Sequence, residues 1–536
     1  MDVEILGVLR GARGPGQDMI LARLHGAKPD YTGVVEGMSG SPVYIDGKLL
    51  GSLSYRIGQF SKEPIAGITP IEQMLVLRDP PAATVPSAVA ASADPAAPSN
   101  FQPIETPLVM SGFSPGAIRL WQQNMAGSGL ATVSAGGMAG ASGDGPALSP
   151  AAASTLKPGS AISAQLVRGD VEIAATCTIT YIDPKQLLAC GHPFLQAGPV
   201  SLPMTTTEIV ATLASPMNSF KIVNTGATVG AFTEDRASGI RGLMGAQARM
   251  IPMHIAIASP DGARKVNTEL VDLPSLTPQA VMVVLYNALS QSNDAVEEAS
   301  YHLTGNIALD GYSPAPLDMW ATPGAAMPAP MAAALEISQL FSALYANADR
   351  RSSVSSIDID VQSIPRRMGL ELVNARIVNG DLVHAGDTIE VEATVRPWQQ
   401  PERTLRIPVK LPARLAPGGI RVLVSDAGTL DRTLQQPLQP THSPGVDAVL
   451  AAARSRHSAD RIYVTLLAPE PQASVAGTTL TTLPLSMANA LESVRATQQI
   501  NLHGESAELA GEAPAGGVLA GSQVLTLHIQ SGSGLN

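Results

Sequence analysis

The sequence predicts a mainly β protein with a few helices, and three observations point that way. Glycine and proline are abundant, 49 and 43 residues of 536, beside few lysines, which favours turns and strands over long helices. Apolar residues make up 45% of the chain and charged residues only 15%, enough to bury large cores. Short apolar runs of strand length recur between turn signals along most of the chain. A chain of this length exceeds one domain, and two to four is the expectation.

The order starts with two strand-length runs, Val3–Leu9 and Met19–Leu24, separated by Gly11-Ala12-Arg13-Gly14-Pro15-Gly16. A polar loop from His25 leads to Gly37-Met38-Ser39-Gly40-Ser41-Pro42, out of which the strand Val43-Tyr44-Ile45 runs directly. Small residues and a closing proline permit a backbone turn that side chains would block. Such a turn can expose a serine hydroxyl while amide N–H groups point into the same space, as a tetrahedral acyl-transfer intermediate requires. The structural alternative is a plain loop before a strand. Asp46-Gly47-Lys48 is a turn signal, and Leu49 to Tyr55 is the returning strand.

Composition collapses to Ala, Pro, Ser and Val from Asp79 to Asn100, which reads as a linker, and order resumes near Thr106 to Met110. Ala126 to Ser154, rich in Gly, Ala and Ser, reads as irregular. Ser160–Val167 and Val171–Ile182 alternate like strands, Asp183-Pro184-Lys185-Gln186 turns, and Leu187-Leu188-Ala189-Cys190 returns. Gly191-His192-Pro193-Phe194 ends that strand and places a histidine at a loop entrance on a fixed scaffold, which suits a general base. Its alternative is a structural histidine at a strand end.

These motifs carry a resemblance. Gly-x-Ser-Gly-x-Pro resembles the nucleophile turn of chymotrypsin-like serine peptidases. The stretch Gly37 to Leu75, ending in Gly67-Ile68-Thr69-Pro70-Ile71-Glu72-Gln73-Met74-Leu75, resembles the SpoIVB peptidase family (S55), bacterial signalling serine peptidases. Asp183 to His192 is similar to the family's strand–turn–strand that carries the catalytic histidine. Lys221-Ile222-Val223-Asn224-Thr225 through Gly230, Arg236, Gly239-Ile240 and Gly242 resembles a strand pair that follows it. The resemblance implies a chymotrypsin-like double β-barrel with Ser39 as nucleophile, the N–H groups of Gly37 and Ser39 as oxyanion hole, and His192 as base. The family's histidine precedes its serine, whereas here Ser39 comes first, so a circular permutation is implied. A triad is defined by geometry and not by chain order. The family's aspartate before the serine turn has no counterpart in Leu24-His25-Gly26; His25, Asp18, Asp30 and Asp235 are the candidates, with a backbone carbonyl as another orienting group.

Downstream, Gln247–Ile257 and Lys265–Leu270 read as a hairpin, Thr277–Ser290 as a helix with a threonine cap and an early proline, Ala299–Leu309 as a strand and Met331–Ala348 as an amphipathic helix. Ile357–Val361, Leu370–Ile377, Thr388–Val395, Thr404–Leu411 and Ile420–Val424 are regularly spaced strands that predict a β-sandwich. Asp358 and Asp360 alternate on one strand; a solvated face accounts for them better than calcium, since no further oxygen ligands cluster nearby. The expected organisation is 1–78 (nucleophile half), 79–105 (linker), 106–350 (histidine half plus helices), 351–440 (β-sandwich-like) and 441–536 (mixed α/β).

Charge and motifs exclude other chemistries. A net charge of −11 without basic runs argues against nucleic acid and anionic lipid as partners. Cys190 and His192 on one strand cannot complete a zinc site, and no turn suited to an oxyanion adjoins Cys190 as a nucleophile. Phosphate- and dinucleotide-binding fingerprints are missing, so no cofactor or metal is implied. The two cysteines, Cys177 and Cys190, flank one hairpin; spacing leaves open whether they pair or are simply buried. No apolar run reaches the length of a spanning helix. The first residues lack the basic start and apolar core of a signal peptide. The resemblance implies a periplasmic or envelope location if an upstream export segment exists; otherwise the cytoplasm is expected. The expected partner is a protein substrate, with the oligomeric state left open. The expected activity is a serine endopeptidase acting on specific proteins, itself included, in signalling or envelope processing. The alternative is a non-catalytic scaffold that keeps a peptidase-like fold as a binding module.

Overall fold

The computed structural model describes residues 1–58, 63–79, 101–130, 133–134, 136–137, 147–215, 219–292, 298–324, 327–346, 353–379, 383–435, 445–475, 478–480, 483–498 and 500–530. Its secondary structure is mainly β with a minority of helices, as the turn-rich composition implies. The chain divides into two compact units, Met1–His254 with Val266–Asn287, and Ile255–Lys265 with Ala288–Asn536.

The first unit begins with an antiparallel sheet of β1 (Asp2–Leu9), β2 (Met19–His25), β3 (Ser41–Ile45), β4 (Lys48–Ile57) and β5 (Ile65–Pro70), in the order β1-β2-β5-β4-β3. The β3–β4 hairpin closes through Asp46 (φ 49°) and Gly47 (φ 76°), between the paired Ile45 and Lys48. Two left-handed residues in a two-residue loop match the strand twist, which is why Asp-Gly stands there. Alternate residues Ile20, Ala22, Leu24, Val43, Leu53, Ala66 and Ile68 form the core of this sheet.

A short strand, β6 (Phe101–Pro103), pairs with the end of β4, and Ile104 is fully buried in the same core. Residues 101–105, read from sequence as the end of a linker, are therefore drawn into the sheet by two apolar side chains. Residues 80–100, the rest of that linker, lie outside the described residues, as do 131–132, 135 and 138–146 of the second low-complexity patch.

A second sheet follows. Its strands are β7 (Leu108–Ser111), β8 (Val133–Ser134), β9 (Gly136–Gly137), β10 (Ala161–Gly169), β11 (Glu172–Ile182), β12 (Gln186–Ala189), β13 (Gly198–Leu213), β14 (Phe220–Arg236) and β15 (Gly239–Met244). Six of them close on themselves: β10 pairs β13, β13 pairs β14, β14 pairs β15, β15 pairs β12, β12 pairs β11, and β11 returns to β10, all antiparallel. Closure removes free strand edges, and the long β13–β14 pairing bends toward it through several register shifts. The cysteines, open in the sequence, are joined: Cys177 in β11 and Cys190 just after β12 form a disulfide, both fully buried.

In the second unit, strands Ser300–Leu309, Ala315–Ala321 and Val354–Ile364 pair antiparallel through Ser300–Leu309. Helix Ala329–Tyr345 buries Ile337, Phe341 and Leu344. Asp358 and Asp360 fall on the exposed positions of Val354–Ile364, alternating with buried Ile357, Ile359 and Val361. The predicted sandwich is present. Strands Gly369–Ile377, Thr388–Pro397, Arg403–Lys410 and Val518–Ala520 form one sheet. Gly418–Ser425, Arg461–Ala468, Ser506–Pro514, Ser522–Gln530 and the short Val383–His384 form the other. One core, including Val391, Val395, Val422, Val464 and Leu527, packs the two together. Its second sheet takes most strands from 441–536, the stretch read from sequence as mixed α/β, because strands distant along the chain pair without leaving a local signature. Among the described residues no helix is long and apolar enough to cross a membrane.

The two sheets of the first unit meet at one spot with no space for a side chain. A Cβ on Gly40 (φ 95°) would lie 1.8 Å from the Thr178 carbonyl oxygen and 2.7 Å from the Cys190 nitrogen. Gly40→Ala is expected to lose at least about 3 kcal/mol or fail to fold, because both obstacles are backbone. Gly47→Ala, with open space around it, should cost only about 1 kcal/mol for its left-handed φ. Urea midpoints of the two variants check the contrast.

Candidate active site

The turn predicted to carry the nucleophile is built by its own backbone. Gly37 (φ 82°) and Gly40 (φ 95°) flank Met38-Ser39 and take left-handed conformations that other residues rarely adopt. The Met38 N–H donates to the Val35 carbonyl, and the Ser41 N–H and hydroxyl both donate to the Met38 carbonyl. The Gly40 N–H donates to Leu53 in β4. The Gly37 N–H, one of the two predicted oxyanion donors, donates to the Glu105 carbonyl at 3.3 Å. Among the described residues the Ser39 N–H, the other predicted donor, makes no hydrogen bond.

The closed six-stranded sheet holds this turn from the other side. Thr178 in β11 donates its N–H to the Ser39 carbonyl (2.8 Å) and its hydroxyl to the Gly37 carbonyl (3.1 Å); the Thr180 hydroxyl donates to the Gly40 carbonyl (2.8 Å). The Thr178 carbonyl in turn accepts from the Cys190 N–H (3.2 Å). Gly191 follows in a left-handed conformation, and a Cβ there would strike the hydroxyls of Ser52 and Ser54 in β4. Its carbonyl accepts from the Thr69 hydroxyl of β5 at 2.7 Å. His192 therefore leaves a backbone anchored to the strands that also anchor the Ser39 turn.

Both side chains are buried, Ser39 at 0% and His192 at 2% exposure. His192 Nδ1 lies 2.9 Å from the Pro193 carbonyl oxygen. A carbonyl only accepts, so this contact is a hydrogen bond in the tautomer that carries the proton on Nδ1 and leaves Nε2 its lone pair. Neither His192 Nε2 nor Ser39 Oγ has a hydrogen-bond partner, including each other. Burial pushes the imidazole down to about 4, opposed by backbone hydrogen bonding at Pro193 and Ile104 and aided by the positive charge of Arg13. The ring is thus neutral at pH 7. A buried unpaired polar atom costs about 1–3 kcal/mol, so two such atoms carried by one framework need a reason.

The four candidates for the third member part company. His25 pairs with Glu4 (2.9 Å) at the surface of the first sheet. Asp18 accepts from the Gly11 N–H at 2.8 Å, and Asp30 is exposed in the short helix Ala27–Thr32. Asp235 is buried at 2%, and its carboxylate accepts from the N–H groups of Phe194 and Leu195, both at 2.8 Å, and of Ala197 at 3.2 Å. It grips the loop that follows His192, while the imidazole itself is oriented by the Pro193 carbonyl. Burial raises the Asp235 carboxyl, and those backbone donors pull it back down. A cleft of about 490 Å³ is lined by Gln17, Gln73, Gln196, Gly198, Asp235 and Arg236, among others.

Several polar residues of the site escaped the sequence reading. Glu36, next to Gly37, is buried at 1%, with both carboxyl oxygens unpartnered and the Arg56 guanidinium 3.8 Å away. Burial first, and then Glu105, raise it to about 7, with Arg56 opposing. Arg13 donates to Gln73, to the Tyr55 hydroxyl and to the Ala237 carbonyl. Lys221, at the start of β14, donates to the Gly37 carbonyl at 2.6 Å. Only Lys221 had a usable signal, a lone lysine opening an apolar strand. Compared with family models, curated proteins and solved structures, the chain matches none.

Glu36 leads to a stability prediction. Its folded carboxyl holds a proton up to about pH 7, against 4.5 as the ordinary value, so its contribution is complete below pH 4.5 and lost as pH rises through 7. Glu36→Gln removes that loss: relative to wild type it should gain about 2.5 kcal/mol between pH 5 and pH 8. Unfolding curves at the two pH values check it.

Proposed function

We propose that this chain is a serine endopeptidase of the SpoIVB type, with its serine and histidine halves in permuted order. The observation that carries the reading is the pair of buried, unpartnered atoms, Ser39 Oγ and His192 Nε2, on one shared framework, the imidazole already in the tautomer of a base. The chymotrypsin-like double barrel belongs to the same proposal, and the closed ring of six antiparallel strands beside the six-stranded first sheet supports it.

In the reaction, Ser39 Oγ attacks the scissile carbonyl carbon and its proton passes to His192 Nε2. The Pro193 carbonyl keeps the proton on Nδ1 and steadies the imidazolium. The oxyanion is received by the Ser39 N–H and by the Gly37 N–H once that group leaves the Glu105 carbonyl. His192 then returns its proton to the leaving amine, and water, activated by the same nitrogen, releases the acyl group. A neutral carbonyl stabilises imidazolium less than a carboxylate would, so turnover is slow, which fits cleavage of a few specific proteins. The cleft lined by Gln196 and Asp235 adjoins the His192 loop, though neither Ser39 nor His192 lines it, and we assign peptide entry to it. The buried disulfide supports an oxidising compartment, hence the periplasm or envelope.

A second reading is favoured by the complete burial of both side chains and the missing bond between them: a non-catalytic scaffold using the fold for binding. A fluorophosphonate probe separates the two. Wild type is expected to label and Ser39→Ala not at all, with Ser39→Ala retaining its unfolding midpoint. His192→Ala should label at least about 100-fold more slowly. Because the imidazole sits near 4, labelling should be half-maximal near pH 4 and level by pH 6, where an ordinary histidine would still be largely protonated. No labelling of folded wild type at any pH would leave the scaffold.

A further inference from the structure

We propose that Lys221 is a positioning residue for this site, its ammonium holding the Gly37–Met38 peptide so that the Ser39 N–H faces the reacting carbonyl unencumbered. The inference rests on the peptidase reading for its consequence, though not for its geometry.

Successive peptide units of the turn are each fixed in turn. The Gly37 carbonyl accepts from Lys221 Nζ (2.6 Å) and from the Thr178 hydroxyl (3.1 Å), and Lys221 Nζ also lies 3.4 Å from that hydroxyl. The Met38 N–H is bound to Val35, and the Met38 carbonyl is bound twice by Ser41. The next N–H, that of Ser39, is the one left over. Gly37 has the conformational freedom to let its following peptide rotate, and the lysine opposes that rotation. Its stem does so too, for a Cβ on Gly37 would lie 3.4 Å from Lys221 Cδ.

Lys221's own situation is costly. Both its hydrogen bonds go to neutral oxygens, a carbonyl and a hydroxyl. Burial lowers its ammonium to about 8. The residue is only half-buried, yet its ammonium takes these oxygens and not the carboxylate that a lysine serving only stability would take. The charged groups on the elements around it are Glu36 beside Gly37, Glu105 behind the Gly37 N–H, Arg56 near Glu36, and Glu208 on the paired strand β13, opposite Asn224. From β11 it meets only the neutral Thr178. A positive charge here also favours the negative charge that builds on the oxyanion.

The test compares wild type, Lys221→Met and Lys221→Arg, using fluorophosphonate labelling rates from pH 6 to 9.5 and amide hydrogen exchange of the 36–41 segment. Lys221→Met is expected to label about tenfold or more slowly at pH 7 and to exchange faster over 36–41. Lys221→Arg should restore most of the rate, and should remain level where wild type declines as pH rises through about 8. Two outcomes overturn the proposal. One is a wild-type rate that climbs through pH 8 and is flattened in Lys221→Met, which would make the lysine the base. The other is unchanged exchange in Lys221→Met. If wild type shows no Ser39-dependent labelling, the peptidase reading fails by itself. Exchange then decides alone whether Lys221 holds the turn.

Discussion

The arrangement depends on a backbone-to-backbone junction: the Ser39 carbonyl accepts the Thr178 N–H while the Thr178 carbonyl accepts the Cys190 N–H. One residue of β11 thereby links the Ser39 turn to the segment that carries His192. Main-chain groups can be brought that close only if the facing residue has no side chain, hence Gly40, and only if the chain bends back at once, hence Gly191 and the left-handed Cys190. The disulfide lies at the same place: Cys177 directly precedes Thr178, and Cys190 is itself the donor of the second hydrogen bond.

Around this junction the polar groups are unevenly satisfied. Asp235 and Thr178 spend every advantage on backbone N–H and carbonyl groups and act as clamps. Ser39, His192 and Glu36, by contrast, keep buried atoms without partners. Native proteins seldom leave such atoms unpaired away from places where something is bound or transformed. Glu36 and Ser39 lie along one turn and His192 on a loop tied to the same framework, and burial moves both the imidazole and the Glu36 carboxyl toward their neutral forms. Neutrality is what a general base needs before it accepts a proton, and it is also the cheapest state for a buried group.

Much of this was legible beforehand for simple reasons. Strand alternation is a local property, so Val3–Leu9, Met19–Leu24 and most strands of 357–424 fall inside observed strands, and Ser160–Val167 and Thr404–Leu411 each overrun theirs by one residue. Asp46-Gly47 announced its turn through the φ values those residues tolerate. Ser39 and His192 stood out because small residues and proline surround each one. Pairing was not legible: residues 101–105 read as linker until Phe101 and Ile104 met β4, and the second sheet of the sandwich comes from strands scattered over 418–530. Glu36 and Arg56 look like ordinary charged residues until burial singles them out, and Lys221 until its bond to the Gly37 carbonyl does.

The amino-acid order by itself determined that the protein would be built of strands and turns, and that a serine turn and a glycine–histidine corner would each take special backbone shapes. Those are consequences of steric freedom and periodicity within a few residues. Only the tertiary structure decided that the two would share β4, β5 and β11, that a carbonyl rather than a carboxylate would orient the imidazole, and that Cys177 would find Cys190. Each of these depends on which groups lose water together, and that is settled by the packing of strands far apart in the chain.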